Sequence, residues 1–281
     1  MGDKPGYPRF RGYGRFDSVE FPRYGDGCRL ADGRAEFGHV GALKLKLPRP
    51  IEGTIKTMRF KREANGWYVA FSCDLGDVTP DAATDPAVGI DLGLKAFLVT
   101  SAGEQVAPPK LYRKVQVHLR QVARRVARRK KSSNRRRKAV QVPARIHQHV
   151  ANQRRGFHHQ TALQLVRRHG LIAHEDLNVR GIARTRPPKS THDAGWAAFL
   201  AILTQKAEST GVVVIAVDPR HTAQRCSGDG ALPAIPLTLA DRVHVCSGGL
   251  TLDRDENAAR NIRALGLSVQ APTWPTGACI A

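Results

Sequence analysis

Three stretches of this chain place carboxylates where carboxylates are costly. Asp91 interrupts the apolar run of VGIDLGL, and Glu175 closes the apolar part of LIAHEDL. A buried strand tolerates a carboxylate only when it is paired or bound to a metal. The plain alternative is a strand-end side chain facing water. For Glu175 alone that is the readier account; for Asp91, with Ile90 and Leu92 beside it, the two accounts stand level. The third stretch, LTLDRDENAARNIRALG at 250–266, packs Asp253, Asp255 and Glu256 together. Asp253 and Glu256 have the spacing of an N-cap and its capping-box partner. At about 100° per residue, Asp255 instead lines up with Ala259, Ile262 and Gly266, the face that must pack. Asp253 lines up with polar Asn257 and Arg260. Capping therefore explains Asp253 and Glu256 and leaves Asp255 pointing inward, with Arg254 and Asn257 flanking it as candidates for orienting a site. Three inward carboxylates suit magnesium or manganese, hard cations that prefer oxygen ligands. Two such ions can stabilise the attacking and leaving oxygens of an in-line phosphodiester displacement.

The charge balance agrees with a phosphodiester substrate. The 281 residues hold 45 Lys and Arg against 24 Asp and Glu, a net charge of +21, which points to a polyanion: nucleic acid or an anionic membrane surface. The membrane alternative is weak, because no apolar run approaches the roughly 20 residues of a spanning helix. The start, MGDKPGYPRFRGYGRF, has no apolar signal region and no Ser or Thr at the sixth position for myristoylation. The expected partner is DNA and the expected location cytoplasmic, at the nucleoid. Five dispersed cysteines fit a reduced compartment, and only Cys226 and Cys246 are close enough in sequence to share a site. The densest positive run, RRVARRKKSSNRRRK, holds Arg124, Arg125, Arg128, Arg129, Lys130, Lys131, Arg135, Arg136, Arg137 and Lys138. A solvated helix face is the bland reading of such a run; its density and the total charge favour phosphate contact. His147, His149, His158, His159 and His174 read as surface or phosphate-contacting residues rather than metal ligands.

The elements that must position these residues follow from the hydrophobic pattern. Residues 1–35, rich in Gly, Arg and aromatics, suit either nucleic-acid contact or a loosely ordered terminus. Alternating LKLKL, then TIKTMRFKR and WYVAFSC around Asn65-Gly66, predict a small β-domain with a hairpin. Trp67 and Tyr68 alternate across its second strand, which predicts one of them in the core. The turn-rich 75–86 is the expected domain boundary. A β-meander follows from Val88, then helices from about Leu111 to His169, with the second beginning near Pro143 and Gly170 as its C-cap. A strand at 171–177, a helix at 195–211, a buried strand at 212–219 and a final helix from Asp253 complete an α/β arrangement of mixed strand directions.

GIDLGLKAFLVTSAG, HEDLNVRGIAR and DRDENAARNI, in this order, resemble the three RuvC motifs of the TnpB (OrfB) family. These are proteins of insertion sequences, named as transposases and related to the type V CRISPR nucleases. GYPRFRGYGRFDSVEFPRYGDG and GTIKTMRFKREANGWYVAFSC resemble the family's β-rich wedge domain, and RRVARRKKSSNRRRKA its basic helical connection. The resemblance runs from about Lys4 to Gly266. It implies a RuvC-like, RNase H-fold α/β domain over 86–219 and 251–267, a partial wedge domain over 1–85, a knuckle insertion over 220–250 and a disordered tail over 268–281. It also implies that Asp91, Glu175 and Asp255 are the catalytic acids that bind magnesium or manganese. The implied activity is that of a DNA endonuclease directed by a guide RNA transcribed from the transposon's end, with sequence reading delegated to base pairing.

The chain departs from the family at two places. Where the family carries two CxxC pairs, QRCSGDG and VHVCSGG keep one cysteine each. The broken pairs favour a loop that binds no zinc; the alternative is a zinc site of Cys226, Asp229, His244 and Cys246. The resemblance further implies a start inside the wedge domain, without the helical recognition insertion. Three functions follow as expectations: an active guided nuclease, a cleavage-inactive nucleic-acid-binding remnant or regulator, and a recombining transposase.

Overall fold

The computed structural model describes residues 16–38, 41–76, 86–178, 181–182, 188–233, 235–238, 240–246 and 248–270. Most of the expected boundary at 75–86, the first 15 residues and the tail beyond 270 lie outside them. The chain divides into two compact units.

One unit takes Met1–Val78 and Val122–Gln148. Strands β1 (Ser18–Phe21), β5 (Thr54–Glu63) and β6 (Gly66–Asp74) form an antiparallel sheet, and β2 (Cys28–Ala31), β3 (Arg34–Phe37) and β4 (Gly41–Lys44) form a second. Alternation buries Met58 and Phe60 of β5, which pack with Cys28, Ala35 and the tilted rings of Phe21 and Phe37. The hairpin is present, with Glu63 paired to Gly66, so Ala64 and Asn65 make its turn rather than Asn65 and Gly66. Trp67 and Tyr68 are both exposed, because they sit at the hairpin's tip beyond the core; Arg62 lies over the Trp67 ring at 5.9 Å.

The same unit holds the end of α1 (Leu111–Ala127) and the start of α2 (Asn134–Val166). The helical break falls at 128–133 rather than near Pro143, which lies inside α2. Ser133 decides this: its hydroxyl oxygen accepts from the Arg136 N–H at 3.1 Å, capping α2. Ser132 before it takes a left-handed backbone, φ 64°. Pro143 removes one backbone donor, a cost that the long helix carries. The helix ends at Val166, ahead of Gly170.

The other unit takes Thr79–Gln121 and His149–Ala281. Its sheet has the order β11-β10-β7-β8-β9, from β7 (Ala87–Leu92), β8 (Leu98–Thr100), β9 (Gln105–Val106), β10 (Leu171–Glu175) and β11 (Val213–Val217). β7 and β10 run parallel, as do β10 and β11, while β8 is antiparallel to β7 and to β9. One face, carrying Val88, Ile90, Leu98 and Ile172, packs against α2 and against α4 (Trp196–Glu208), with Ala162, Leu165, Phe199 and Leu203 fully or nearly buried. His158, expected at the surface, is part of this core. Its ring stacks on Phe97, and Nε2 lies 2.9 Å from the Ala194 carbonyl oxygen. β11, expected to be buried, is the edge strand, and of its residues Val217 alone is buried. The short helix α3 (Pro188–Ala194) supplies buried Asp193, whose carboxylate accepts from the Tyr112 N–H at the start of α1 and pairs with Arg154 at 2.9 Å.

The opposite face is covered by α5 (Arg254–Gln270), which runs past the expected boundary at Leu267. Ala258, Ala259 and Ile262 are buried against Leu171, Ala173 and Val217. The approach is close enough to exclude a side chain at two glycines. A Cβ on Gly89 of β7 would stand 2.0 Å from the Ala259 carbonyl oxygen, and one on Gly266 would stand 2.5 Å from Ala173 Cβ. Gly156, exposed in α2, has nothing within 4 Å of its Cβ position.

Gly89→Ala is therefore expected to destabilise the protein by about 2–4 kcal/mol, since backbone must move to admit the methyl group. Gly156→Ala is expected to be neutral or to stabilise by about 0.5–1 kcal/mol. Urea unfolding midpoints of the two variants check this, and equal midpoints would refute the close packing of α5.

Candidate active site

Strand alternation puts the first two acids on the α5 side of the sheet. Val88 and Ile90 face the α2 and α4 core, so Gly89 and Asp91 face α5; Ile172 faces that core, so Leu171, Ala173 and Glu175 also face α5. β7 and β10 pair with Ala173 opposite Gly89 and His174 opposite Ile90. One step further along this ladder Glu175 falls beside Asp91. Asp255 comes from the first turn of α5, the helix lying on this face.

The three charges are felt where they meet. Burial pushes the Asp91 carboxyl up to about 7, with the charges of Glu175 and then Asp255 adding to the rise; Arg254 and the Leu92 N–H oppose it. Burial also raises Glu175, against a hydrogen bond from the Thr222 hydroxyl. Asp255 lies 3.7 Å from the Arg254 guanidinium, which donates to the Thr238 carbonyl oxygen at 2.7 Å. Asp253 is the N-cap, its Oδ1 accepting from the Asp255 N–H at 2.9 Å. Glu256, expected to complete a capping box, pairs instead with Arg260 one turn on, at 2.7 Å.

A second cluster lies in the 220–250 segment. Cys226, Asp229 and Cys246 present ligand atoms that all lie within 4.8 Å of one another. The Cys246 thiol donates to Asp229 Oδ2 at 3.0 Å, and the Gly228 and Gly248 amides point at the two sulfurs, at 3.4 and 3.2 Å. A Cβ on Gly248 would stand 3.4 Å from Cys246 Sγ and 3.6 Å from Asp229 Oδ2, so this glycine occupies the fourth corner. His244, on β12 (Val243–Val245) opposite β13 (Thr251–Asp253), is not in the cluster. It is buried, and neither ring nitrogen has a hydrogen-bond partner.

Nine of the ten basic residues of the 124–138 run are exposed, and among the described residues none of the ten forms an ion pair. Arg136 is the exception to exposure: it donates to the Val126 carbonyl oxygen at 2.8 Å and joins the two helix ends. His174 is buried on β10, with Nδ1 2.8 Å from the Glu175 carbonyl oxygen. Sequence reasoning missed Thr222 and Asn261. The Asn257/Asn261 pair, one turn apart among alanines, was the available signal. No signal marked Thr222. No helix among the described residues is long and apolar enough to cross a membrane.

Comparison with known proteins agrees with this order of elements. Residues 70–186 match the OrfB_IS605 family model, described as "Probable transposase", and residues 196–262 match that of the "Cas12f1-like, TNB domain". A "Putative RNA-guided DNA endonuclease" of Streptomyces pristinaespiralis is 33% identical over 226 residues, covering 80% of this chain and 56% of that protein. The "Putative RNA-guided DNA endonuclease InsQ" of Escherichia coli K12 is 27% identical, covering 94% and 70%. "TnpB-like protein L770" of Acanthamoeba polyphaga mimivirus is 24% identical, covering 80% and 46%. The chain thus spans between 46% and 70% of the length of these relatives. In fold it is similar to a chain of a Cas12f1–sgRNA–target DNA complex, with TM-score 0.53 and 19% identity over 74% of this chain and 45% of that one. Two family models in succession and relatives that span most of the chain lead to one conclusion: it belongs to the OrfB (TnpB) family.

Proposed function

We propose that this chain is an RNA-guided DNA endonuclease that hydrolyses phosphodiester bonds at Asp91, Glu175 and Asp255. The observation that carries the reading is that Asp91 and Glu175, on adjacent strands, and Asp255, at a helix start, lie on the α5 side of the sheet, near enough for the last two to raise the Asp91 carboxyl. The strand order, with β8 alone antiparallel to the rest, supports an RNase H-like fold for this unit. The relatives named as RNA-guided DNA endonucleases support the activity. The exposed cations of 124–138 suit contacts to nucleic-acid phosphates, and guide RNA and target DNA are the proposed partners.

The acids fit magnesium or manganese. They offer oxygen donors alone, and burial first, then the charges of Glu175 and Asp255, push the Asp91 carboxyl up to about 7, a position that a divalent cation would relieve. When bound, the metal supplies an activated water and neutralises charge on the transferring phosphate. The protein's own part is to hold the acids in place. Asp253 keeps Asp255 at the helix start, and Arg254 is tied back to Thr238. The Cys226, Asp229 and Cys246 cluster is proposed as a zinc site of three protein ligands, with sulfur donors suited to that ion.

Purified protein with element-end RNA and magnesium is expected to cut matched double-stranded DNA. Asp255→Ala is expected to lower the rate more than about a hundredfold. Cutting that survives this substitution would refute the site; RNA binding without cutting by the wild type would favour the cleavage-inactive reading. Because the folded protein binds the Asp91 proton more tightly than the unfolded chain, that contribution to stability is complete at low pH and is lost as pH rises through about 7. In chelator, Asp91→Asn is therefore expected to melt higher than wild type at pH 8, by on the order of 5 °C, and like wild type below pH 4. Melting curves at both pH values check the sign. Gly248→Cys is expected to tighten zinc binding at least roughly tenfold in a chelator competition, and Cys226→Ser to abolish it.

A further inference from the structure

Glu175 ends its strand with one carboxylate oxygen in contact with a side chain from a different part of the chain. Thr222 is 3% exposed, and its hydroxyl lies within hydrogen-bond distance of Glu175 Oε1 and 3.0 Å from the Pro219 carbonyl oxygen. A buried hydroxyl has one proton to give, and a carboxylate is the stronger acceptor of the two.

Thr222 does not hold this place by local chain geometry alone. His221 before it has a left-handed backbone, φ 63°, which a non-glycine residue adopts only where its surroundings impose it. The Gln224 and Arg225 amides donate to the His221 carbonyl oxygen at 3.0 and 2.8 Å, and two side chains of α5 hold the residues that follow. Asn261 Nδ2 donates to the Thr222 carbonyl oxygen at 2.8 Å and to that of Arg225 at 2.7 Å. Asn257, fully buried one turn earlier, donates to the Arg225 carbonyl oxygen at 2.7 Å and accepts from the Ser227 N–H at 2.9 Å. The 222–227 loop is thus clamped to the same helix whose first turn carries Asp255.

We propose that Thr222 is a positioning residue for Glu175: its hydroxyl, held in place by Asn257 and Asn261 of α5, turns the Glu175 carboxylate toward Asp91 and Asp255. One helix then orients two of the three acids, Asp255 directly and Glu175 through the clamped loop. A stray rotation of Glu175 would separate its oxygens from the other two carboxylates. The proposal rests on the reading of these acids as a metal centre.

The test is Mn2+ binding by the full chain, followed by the electron paramagnetic resonance of the free ion, with unfolding midpoints recorded for every variant. Thr222→Val keeps the shape and removes the hydroxyl; it is expected to weaken Mn2+ binding roughly 10- to 100-fold, as for other groups that orient a metal ligand. Thr222→Ser restores the hydroxyl and is expected to restore most of the affinity, whatever it does to stability. Should the valine variant fail to fold, Thr222→Ala takes its place against the same serine rescue. In cleavage assays the hydroxyl-free variant is expected to lose kcat with little change in KM for DNA. Wild-type affinity in a folded variant without the hydroxyl would overturn the proposal and leave the metal centre standing. Equal loss with serine and valine would reduce Thr222 to a packing residue and overturn it too. If wild type and Asp255→Ala bind Mn2+ alike, the metal centre itself is wrong and the proposal falls with it.

Discussion

The seating of α5 on the sheet is the contact on which the acidic site depends. Its backbone comes so near β7 that Gly89 has no room for a Cβ, and Gly266 is pressed in the same way on Ala173 of β10. Buried alanines and Ile262 make up the rest of the contact. Small residues on both surfaces bring helix and strands together at a distance that larger side chains would forbid. Asp255 lies in the first turn of this helix, near enough to Asp91 for its charge to raise that carboxyl.

Bringing them together has an electrostatic cost. Like charges and burial act in the same direction on Asp91, and Arg254 opposes them incompletely. Burial and the neighbouring carboxylates together favour the protonated form of Asp91. The polar network around it restrains the acids. Asp253 caps the helix, Thr222 meets Glu175, and two asparagines of α5 hold the loop that carries Thr222. That loop continues into the cluster of Cys226, Asp229 and Cys246, so the clamp on α5 serves both sites.

The Cys226 cluster brings two sulfurs and one carboxylate together without a histidine. The backbone amides of Gly228 and Gly248 still point at the sulfurs, and Asp229 replaces a thiol at hydrogen-bond distance. A side chain on Gly248 would start beside Cys246 Sγ and Asp229 Oδ2. His244, a ligand candidate by type and spacing, packs with both nitrogens unpaired and stays out of the group.

The sequence by itself determined the elements and the face of Asp255. Period-2 and 3.6-residue patterns are properties of the local backbone, so the inward turn of Asp255 is legible in the order of residues alone, whereas Asp91 stands level between core and solvent and Glu175 by itself reads as a solvent-facing strand end. The five-stranded order, the α5 contact and the meeting of the acids are long-range, and only the tertiary structure decided them. The same distinction explains the differences. Ser133 caps α2 ten residues before Pro143, which the helix then carries in its interior. His158 went into the core because Phe97 and Phe199 enclose it and Ala194 offers a carbonyl; its own neighbours in sequence carry no trace of them. Trp67 and Tyr68 came out to solvent because a hairpin tip projects past what it packs on. Thr222 could not be found in sequence at all: a threonine acquires a role at Glu175 only when folding brings two segments some forty-seven residues apart into hydrogen-bond contact.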